Sequence, residues 1–484
     1  MPEVSLLSSS RPRPVRNPHP DSPSGTGRGG RPRGFPHQRA FLSALATGCL
    51  HLFLCLLPWF LPGGVHASVA DLLGLGSRAV AMGGAYTALA DDFSSVFYNP
   101  AGLSGARDSS LTVGGLWAKP WFYSQSPGQP GSYPHLYSTG ALYLGVATNL
   151  GHLTGYGQLS PWTLGLCLYL PVERALLADI PNESSEKKFI FYLDQSQVLA
   201  FLMGLSWRVA DWLSVGAGVN LLADLRAPNE AFVNVDLKTV IPYLAGWSDL
   251  SKNVRPRIMR DAEAKAAPIV GLQARPFSWL RVGVTYRGKF YAETVGSQDI
   301  LLRFSDFSGR TSLALQTAVL ADIHYIHYWN PNQVSGGAGF LVSDSLRLAL
   351  DLTWADWSDY IDSMWFVPAR RFSDTLTPRV GLEYEFGNGI LLRGGYYFQP
   401  SPVPEQTRES NYLDNDKHVF SAGVGYTFSR LPLLPIWKKP ITLEAYVQGA
   451  RLTSRTYHKE AGYGESLELG GFMLHGGASI ELHY

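Results

Sequence analysis

Leu280-Arg-Val-Gly-Val-Thr-Tyr-Arg287 is the stretch that decides the fold. Leu280, Val282, Val284 and Tyr286 share one face of an extended chain, and Arg281, Gly283, Thr285 and Arg287 share the other, because successive side chains of a strand point to opposite sides. An apolar face closed by an aromatic fits a strand with lipid on one side and a polar lumen on the other. The alternation recurs downstream. Leu346, Leu348, Leu350, Leu352 and Trp354 oppose Arg347, Ala349, Asp351 and Thr353. Val380, Leu382, Tyr384 and Phe386 oppose Gly381, Glu383 and Glu385, and Phe420, Ala422, Val424, Tyr426 and Phe428 oppose Ser421, Gly423, Gly425 and Thr427. Ile441, Leu443, Ala445 and Val447 oppose Thr442, Glu444, Tyr446 and Gln448. Such segments run about 9–11 residues, enough for a tilted strand to cross a bilayer.

The connections alternate in length. Short ones fall at Ala210-Asp211, Phe277-Ser278, Ser343-Asp-Ser345 and Gly387-Asn-Gly389, and long ones at about 223–266, 289–312, 359–377, 399–417 and 453–470. Short turns on one rim and long loops on the other match an outer-membrane barrel. The chain closes on Phe472, Leu474, Ala478, Ile480, Leu482 and Tyr484 along one face.

Composition agrees. Charged residues make up 16% of the 484, against about a quarter in soluble domains. The net charge of +1 offers no electrostatic footprint for nucleic acid. Residues 121–172 hold no Asp, Glu, Lys or Arg, yet Gly and Pro interrupt them throughout, which excludes a spanning helix. In lipid, a closed barrel is the remaining structure that satisfies its own backbone.

The N-terminus reads as an export signal. Arg11, Arg13, Arg16, Arg28, Arg31, Arg33 and Arg39 outnumber Glu3 and Asp21, an apolar run spans Ala40–Leu61, and Val65-His66-Ala67 fits a small-x-Ala cleavage site. We expect residues 1–67 to be removed, leaving a mature chain from Ser68 with a charge near −4, since +1 less the five net positive charges of the leader is −4. Cys49 and Cys55 leave with it, so Cys167 remains alone and forms neither an internal disulfide nor a Cys metal cluster.

Residues 68–108 differ from all that follows. Gly74–Ser104 is rich in Gly and Ala, carries only the charges Arg78, Asp91 and Asp92, and shows no strand alternation. It predicts short helical turns over Ser77–Met82, Thr87–Phe93 and Pro100–Ser104, broken by Gly83-Gly84 and restarted by Asn99 as cap with Pro100 at the first helical position. The expected fold is all-β: a transmembrane antiparallel barrel over 109–484 with this helical piece, a hatch, plugging its lumen. Asn99, Pro100 and Ala101 set the last turn of this piece.

Candidate ligand contacts are Trp121, Phe122 and Tyr123 in the uncharged stretch, and Phe232, Val235, Ile241, Tyr243 and Leu244 in the longest loop, where so many apolar groups need a partner. Arg255, Arg257 and Arg260 are candidates for a carboxylate head group or lipopolysaccharide phosphates, with a solvated face the stronger reading. Asp414-Asn-Asp416 reads as a polar loop ending rather than a cation site. No Gly-x-Ser-x-Gly, His-Glu-x-x-His, Cys pair or phosphate loop occurs, so no enzyme activity, metal or cofactor is expected.

With these residues the chain resembles the FadL/TodX family of outer-membrane transporters for long-chain fatty acids and other hydrophobic compounds. Tyr98-Asn-Pro-Ala101 resembles the family's hatch triplet, and Leu205–Asn220, Leu280–Arg287, Asp351–Ser358, Ser401–Pro404 and Leu413–Asp416 resemble its later hairpins, in order. The resemblance implies about 14 strands, a lumen blocked by the hatch, capture of ligand among the outer loops and sideways release into the membrane on hatch movement. It also implies that Asn99, Pro100 and Ala101 hold the hatch against the wall. It implies hydrophobic small molecules as partners beside outer-membrane lipid and lipopolysaccharide. Ser77–Tyr86 also resembles the barrel shuttle proteins of type 9 secretion, whose role would be that of an adaptor for secreted or surface proteins; the later hairpins fit the transporters better.

Overall fold

A computed structural model describes residues 73–106, 108–126, 138–172, 187–192, 199–223, 229–230, 254–262, 266–305, 312–315, 321–428 and 439–484. Fourteen strands form a closed barrel. They are β1 Ser110–Gln125, β2 Thr139–Asn149, β3 Trp162–Pro171, β4 Leu199–Ala210 and β5 Leu213–Ala223. Then come β6 Ala266–Phe277, β7 Leu280–Arg287, β8 Gln333–Leu341, β9 Leu346–Ala355 and β10 Thr375–Glu385. The last are β11 Ile390–Gln399, β12 Lys417–Phe428, β13 Ile441–Tyr457 and β14 Leu467–His483. Closure comes from β14 running antiparallel to β1, with Ser110 opposite His483 and Gln125 opposite Glu468. Each of the fourteen strands has a hydrogen-bonded neighbour on both sides, as hydrocarbon requires.

The period-two reading holds. Val284, Leu352, Val380, Leu382, Phe420 and Val424 face outward and exposed, and their neighbours Gly283, Asp351, Gly381, Glu383 and Gly423 face in. Two loops differ from expectation. The connection after β7 runs to β8 across 288–332, and it is largely strand: Phe290–Ser305 and Ala321–Asn330 pair in a small outer sheet with Val254–Ala262. The last loop is shorter, because β13 and β14 extend to Tyr457 and from Leu467 through a bulge between Leu452 and Arg455. Asn415 supports that bulge: its Nδ2 donates to the Thr453 and Leu469 carbonyls, at 2.7 and 3.2 Å, just where β12 has run out.

The lumen holds the helical piece: α1 Ser77–Ala81, α2 Ser95–Tyr98 and a 3₁₀ turn Pro100–Gly105. The helix expected over Thr87–Phe93 is absent, and α2 follows it instead. The wall has taken its backbone partners. Tyr86 and Thr87 N–H donate to the Asp351 carboxylate at 2.9 and 2.8 Å, and the Gln273 amide donates to the carbonyls of Ala88 and Ala90. The Ala88 and Ala90 carbonyls, which a helix would bond to its next turn, bond to β6 instead, while β9 takes N–H groups that a helix start leaves unpaired.

The fit is close because the wall is bare where the plug touches it. A methyl at Gly216 would strike the backbone of Pro100 and Ala101, one at Gly395 the backbone of Gly83, and one at Gly283 the Thr87 carbonyl. Backbone cannot rotate away as a side chain can. Gly216→Ala should therefore dislodge the 3₁₀ turn at about 1–3 kcal/mol. The barrel should remain heat-modifiable on gels while single-channel conductance in planar bilayers rises; unchanged conductance would contradict this packing.

Candidate functional site

Asn99 is fully buried and its side chain makes three hydrogen bonds. Its Oδ1 accepts from Ala101 N–H at 3.1 Å, capping the 3₁₀ turn, while its Nδ2 donates to Thr87 O at 2.9 Å and to Leu272 O of β6 at 3.0 Å. One amide thus shapes the turn, ties it to the preceding loop and fixes both to the wall. Pro100 starts the turn, and Ala101 packs over Gly216. Tyr98 adds a local tie: its hydroxyl accepts from Leu75 N–H at 3.2 Å. Burial pushes that phenol up to about 12, so it stays neutral.

Arg78, Asp91 and Asp92, the three charges of Gly74–Ser104, all face one cavity at the short-turn rim, about 780 Å³ in volume. Arg78 donates through Nε to Glu383 of β10 at 2.8 Å and also bonds Asp91. Glu383, with no exposed surface, takes further bonds from Arg347 of β9 and Arg393 of β11. Asp91 pairs in turn with Arg281 of β7 at 3.3 Å, and Asp92 accepts from Tyr86 OH. Burial opposes the charge on Asp91, but Arg78 and Arg281 outweigh it and hold the carboxyl below its ordinary value.

On the other side of the plug, toward the long-loop rim, lies a cavity of about 160 Å³. Phe97, Tyr98, Phe191, Trp329, Trp357 and Tyr397 give it an aromatic lining, and Arg287, Arg379 and Lys417 also line it beside one acid, Asp414. Each base lies over a ring: Arg287 4.1 Å from Phe97, Arg379 4.3 Å from Tyr397, Lys417 5.1 Å from Tyr192.

The sequence candidates divide. Asn99, Pro100 and Ala101 come together against the wall. Of the aromatic triplet only Phe122 turns inward, 1% exposed, against Phe189 and Tyr192. Trp121 turns outward, 43% exposed and stacked on Phe472, and Tyr123 covers Gly470 on the same outer face. One strand cannot present three consecutive side chains to one side, so Trp121 and Tyr123 leave the ligand set. Phe232, Val235, Ile241, Tyr243 and Leu244 lie outside the described residues. The side chains of Arg255, Arg257 and Arg260 are likewise outside that description. Asp416 caps its loop by accepting from Ser401 N–H at 2.8 Å. The basic and aromatic inner lining was missed by sequence. Its one signal was lumen parity, which Arg287 and Lys417 show at the outer ends of their strands and Arg379 near the middle of β10.

Comparisons with known proteins agree with this geometry. A family model described as outer membrane protein transport protein (OMPP1/FadL/TodX) matches residues 67–433. Alkane uptake protein A of Marinobacter nauticus is 26% identical over 393 residues, covering 76% of this chain and 80% of that protein. The crystal structure of a Pseudomonas aeruginosa FadL homologue superposes with a TM-score of 0.55 at 16% identity, covering 87% of this chain and 99% of that one. The P. putida toluene transporter TodX gives a TM-score of 0.52 at 16% identity, with 86% and 99% covered. The structural likenesses establish the fold.

Two outcomes follow from the anchors. Asn99→Ala removes a cap, about 1 kcal/mol, and strands buried carbonyls at about 1–3 kcal/mol; proteolysis of the plug should accelerate while the barrel resists. The Asp91 pairs act through an ionised carboxylate with a lowered folded value. Their contribution is therefore complete above the unfolded value, about 3.9, and vanishes as pH falls through the lower folded one. Channel closure should be constant from pH 8 to 5, and wild type should approach the leak of Asp91→Asn only below about pH 4. A leak developing near neutrality would refute this assignment.

Proposed function

The chain belongs to the outer membrane protein transport family (OMPP1/FadL/TodX), and on that premise we propose that it admits long-chain hydrophobic molecules carrying an acid head, fatty acids foremost. It lies in the bacterial outer membrane. Ligand enters among the outer loops, rests in the aromatic cavity above the plug, and leaves sideways into the bilayer when the hatch shifts. Each buried methylene gains about 0.8 kcal/mol, so a dry route avoids the cost of drawing an alkyl chain through water. The plug spans from β3 and β5 to β12 and β13 across the lumen, which favours a lateral exit over a straight pore. Such passage needs no catalytic group and no cofactor.

The observation that carries the substrate class is the cavity lining, in which three bases, Arg287, Arg379 and Lys417, and one acid, Asp414, stand among aromatic rings. A bare alkane has no use for three cations, whereas a carboxylate gains charge-assisted hydrogen bonds of about 1.5–3 kcal/mol. The matched relatives are uptake proteins, one for alkanes and one for toluene by name, which favours transport over the adaptor reading. Phe122 belongs to the aromatic wall of this route.

Uptake of labelled oleate and labelled hexadecane, in cells lacking their own transporter, tests the proposal. The intact protein should restore oleate uptake, and Asn99→Ala should abolish it. Lys417→Gln should lower oleate uptake about tenfold, the equivalent of about 1.4 kcal/mol, and leave hexadecane unchanged. Restoration of hexadecane alone would show that the cavity does not read an acid head.

A further inference from the structure

The outer face of the wall carries a row of residues that the transport route does not use. At one level the register pairs Phe398 of β11 with His418 of β12, His418 with Arg451 of β13, Arg451 with Phe472 of β14, and Phe472 with Trp121 of β1. All lie on the outward parity of their strands. The row sits at the long-loop rim, since β11 ends at Gln399 and β12 begins at Lys417. One pleat below Trp121, Lys119 reaches back so that its Nζ lies 5.3 Å over the indole. Among the described residues neither Lys119 nor Arg451 forms an ion pair. Glu468, two pleats further out on β14, is bonded by Gln125 at 3.0 Å.

An unpaired arginine on a lipid-facing strand costs about 2–4 kcal/mol at the midplane and about 0–1 kcal/mol at the interface. Arg451 is therefore at the interface, where it meets head groups rather than acyl chains. Below it the same strands present Val447, Leu443, Phe420 and Val424, all exposed and apolar. Arg451 stands beside the Trp121–Phe472 stack and Lys119 one pleat beneath it, two strand spacings across and two residues down, about 12 Å apart. We propose that this row is a binding site for the phosphate of an outer-leaflet glycolipid of the lipid A class. Arg451 and Lys119 converge on the phosphate, the stacked rings bear the sugar face, and the apolar rows below take the acyl chains. The site is distinct from the lumen, and the charge is complementary: two unpaired cations facing an anionic head group at the depth where that head group lies.

The test is thermal unfolding of the purified protein in dodecyl maltoside micelles, with bis-phosphorylated lipid A or its fully dephosphorylated form added. Lipid A should raise the melting temperature by several degrees, and the dephosphorylated form should not. Lys119→Gln with Arg451→Gln should need about tenfold more lipid A or greater for the same shift, a loss near 1.4 kcal/mol. Lys119→Arg with Arg451→Lys should retain the response, and Lys439→Gln, at the opposite rim, should leave it unchanged. Should the double glutamine variant fail to give a heat-modifiable band, Arg451→Gln alone, scored by native mass spectrometry for retained lipid A, decides the matter. An equal response from the glutamine variants, or a wild-type response indifferent to the phosphates, overturns the site. Oleate uptake by the double glutamine variant should stay normal, which separates failure here from failure of the transport reading.

Discussion

The plug rests its own backbone directly on the backbone of the wall, and this contact depends on inward positions that carry no side chain. At Gly216, Gly283 and Gly395 a single carbon would occupy space already filled by plug backbone. Strand interiors ordinarily disfavour glycine. Here the lost strand propensity is offset by hydrogen bonds made at close range, from wall side chains into peptide groups that have no helical partner. Asp351, Gln273 and Arg379 reach Tyr86, Thr87, Ala88, Ala90 and Gly83 in this way. The plug is less a small domain than a segment whose secondary structure the barrel completes.

Its electrostatics serve position rather than net stability. Replacing a buried ion pair with apolar groups is often neutral, whereas removing one partner is costly. The Arg78–Glu383 pair, with Arg347 and Arg393 converging on the same carboxylate, therefore defines one seating of α1 and penalises others. Arg78, Asp91 and Asp92 all line the short-turn side, and among the described residues of the plug none that lines the upper cavity is charged. The bases there come from the wall, which lets the upper cavity be aromatic and cationic while the lower one is a balanced network.

The wall itself sorts chemistry by depth as well as by side. Outside, apolar rows give way to aromatic and basic residues at the long-loop rim, and stacked pairs such as Trp162–Trp207 and Phe277–Trp279 mark the short-turn rim. Inside, glycines and hydrogen-bonding groups hold the plug at mid-height. Aromatic side chains, packed around Trp329, Tyr360 and Phe372, close the region above.

Alternation along each strand determined the barrel, because period two is a local property and lipid demands an unbroken apolar face. Turn lengths determined which rim is which, and Asn99-Pro100 determined where the last turn of the plug begins, since capping is set by neighbouring residues. Tertiary structure decided what local pattern cannot reach. The helix expected at Thr87–Phe93 gave way where a partner distant in sequence, Gln273, took the Ala88 and Ala90 carbonyls. Gly283, Gly381 and Gly423 read only as the small side of a strand until the plug was placed against them. Trp121, Phe122 and Tyr123 looked equivalent as an aromatic triplet, and strand parity relative to the lumen separated them. The cavity bases Arg287, Arg379 and Lys417 stand on three strands far apart in sequence, and closure of the barrel is what brings them to one space.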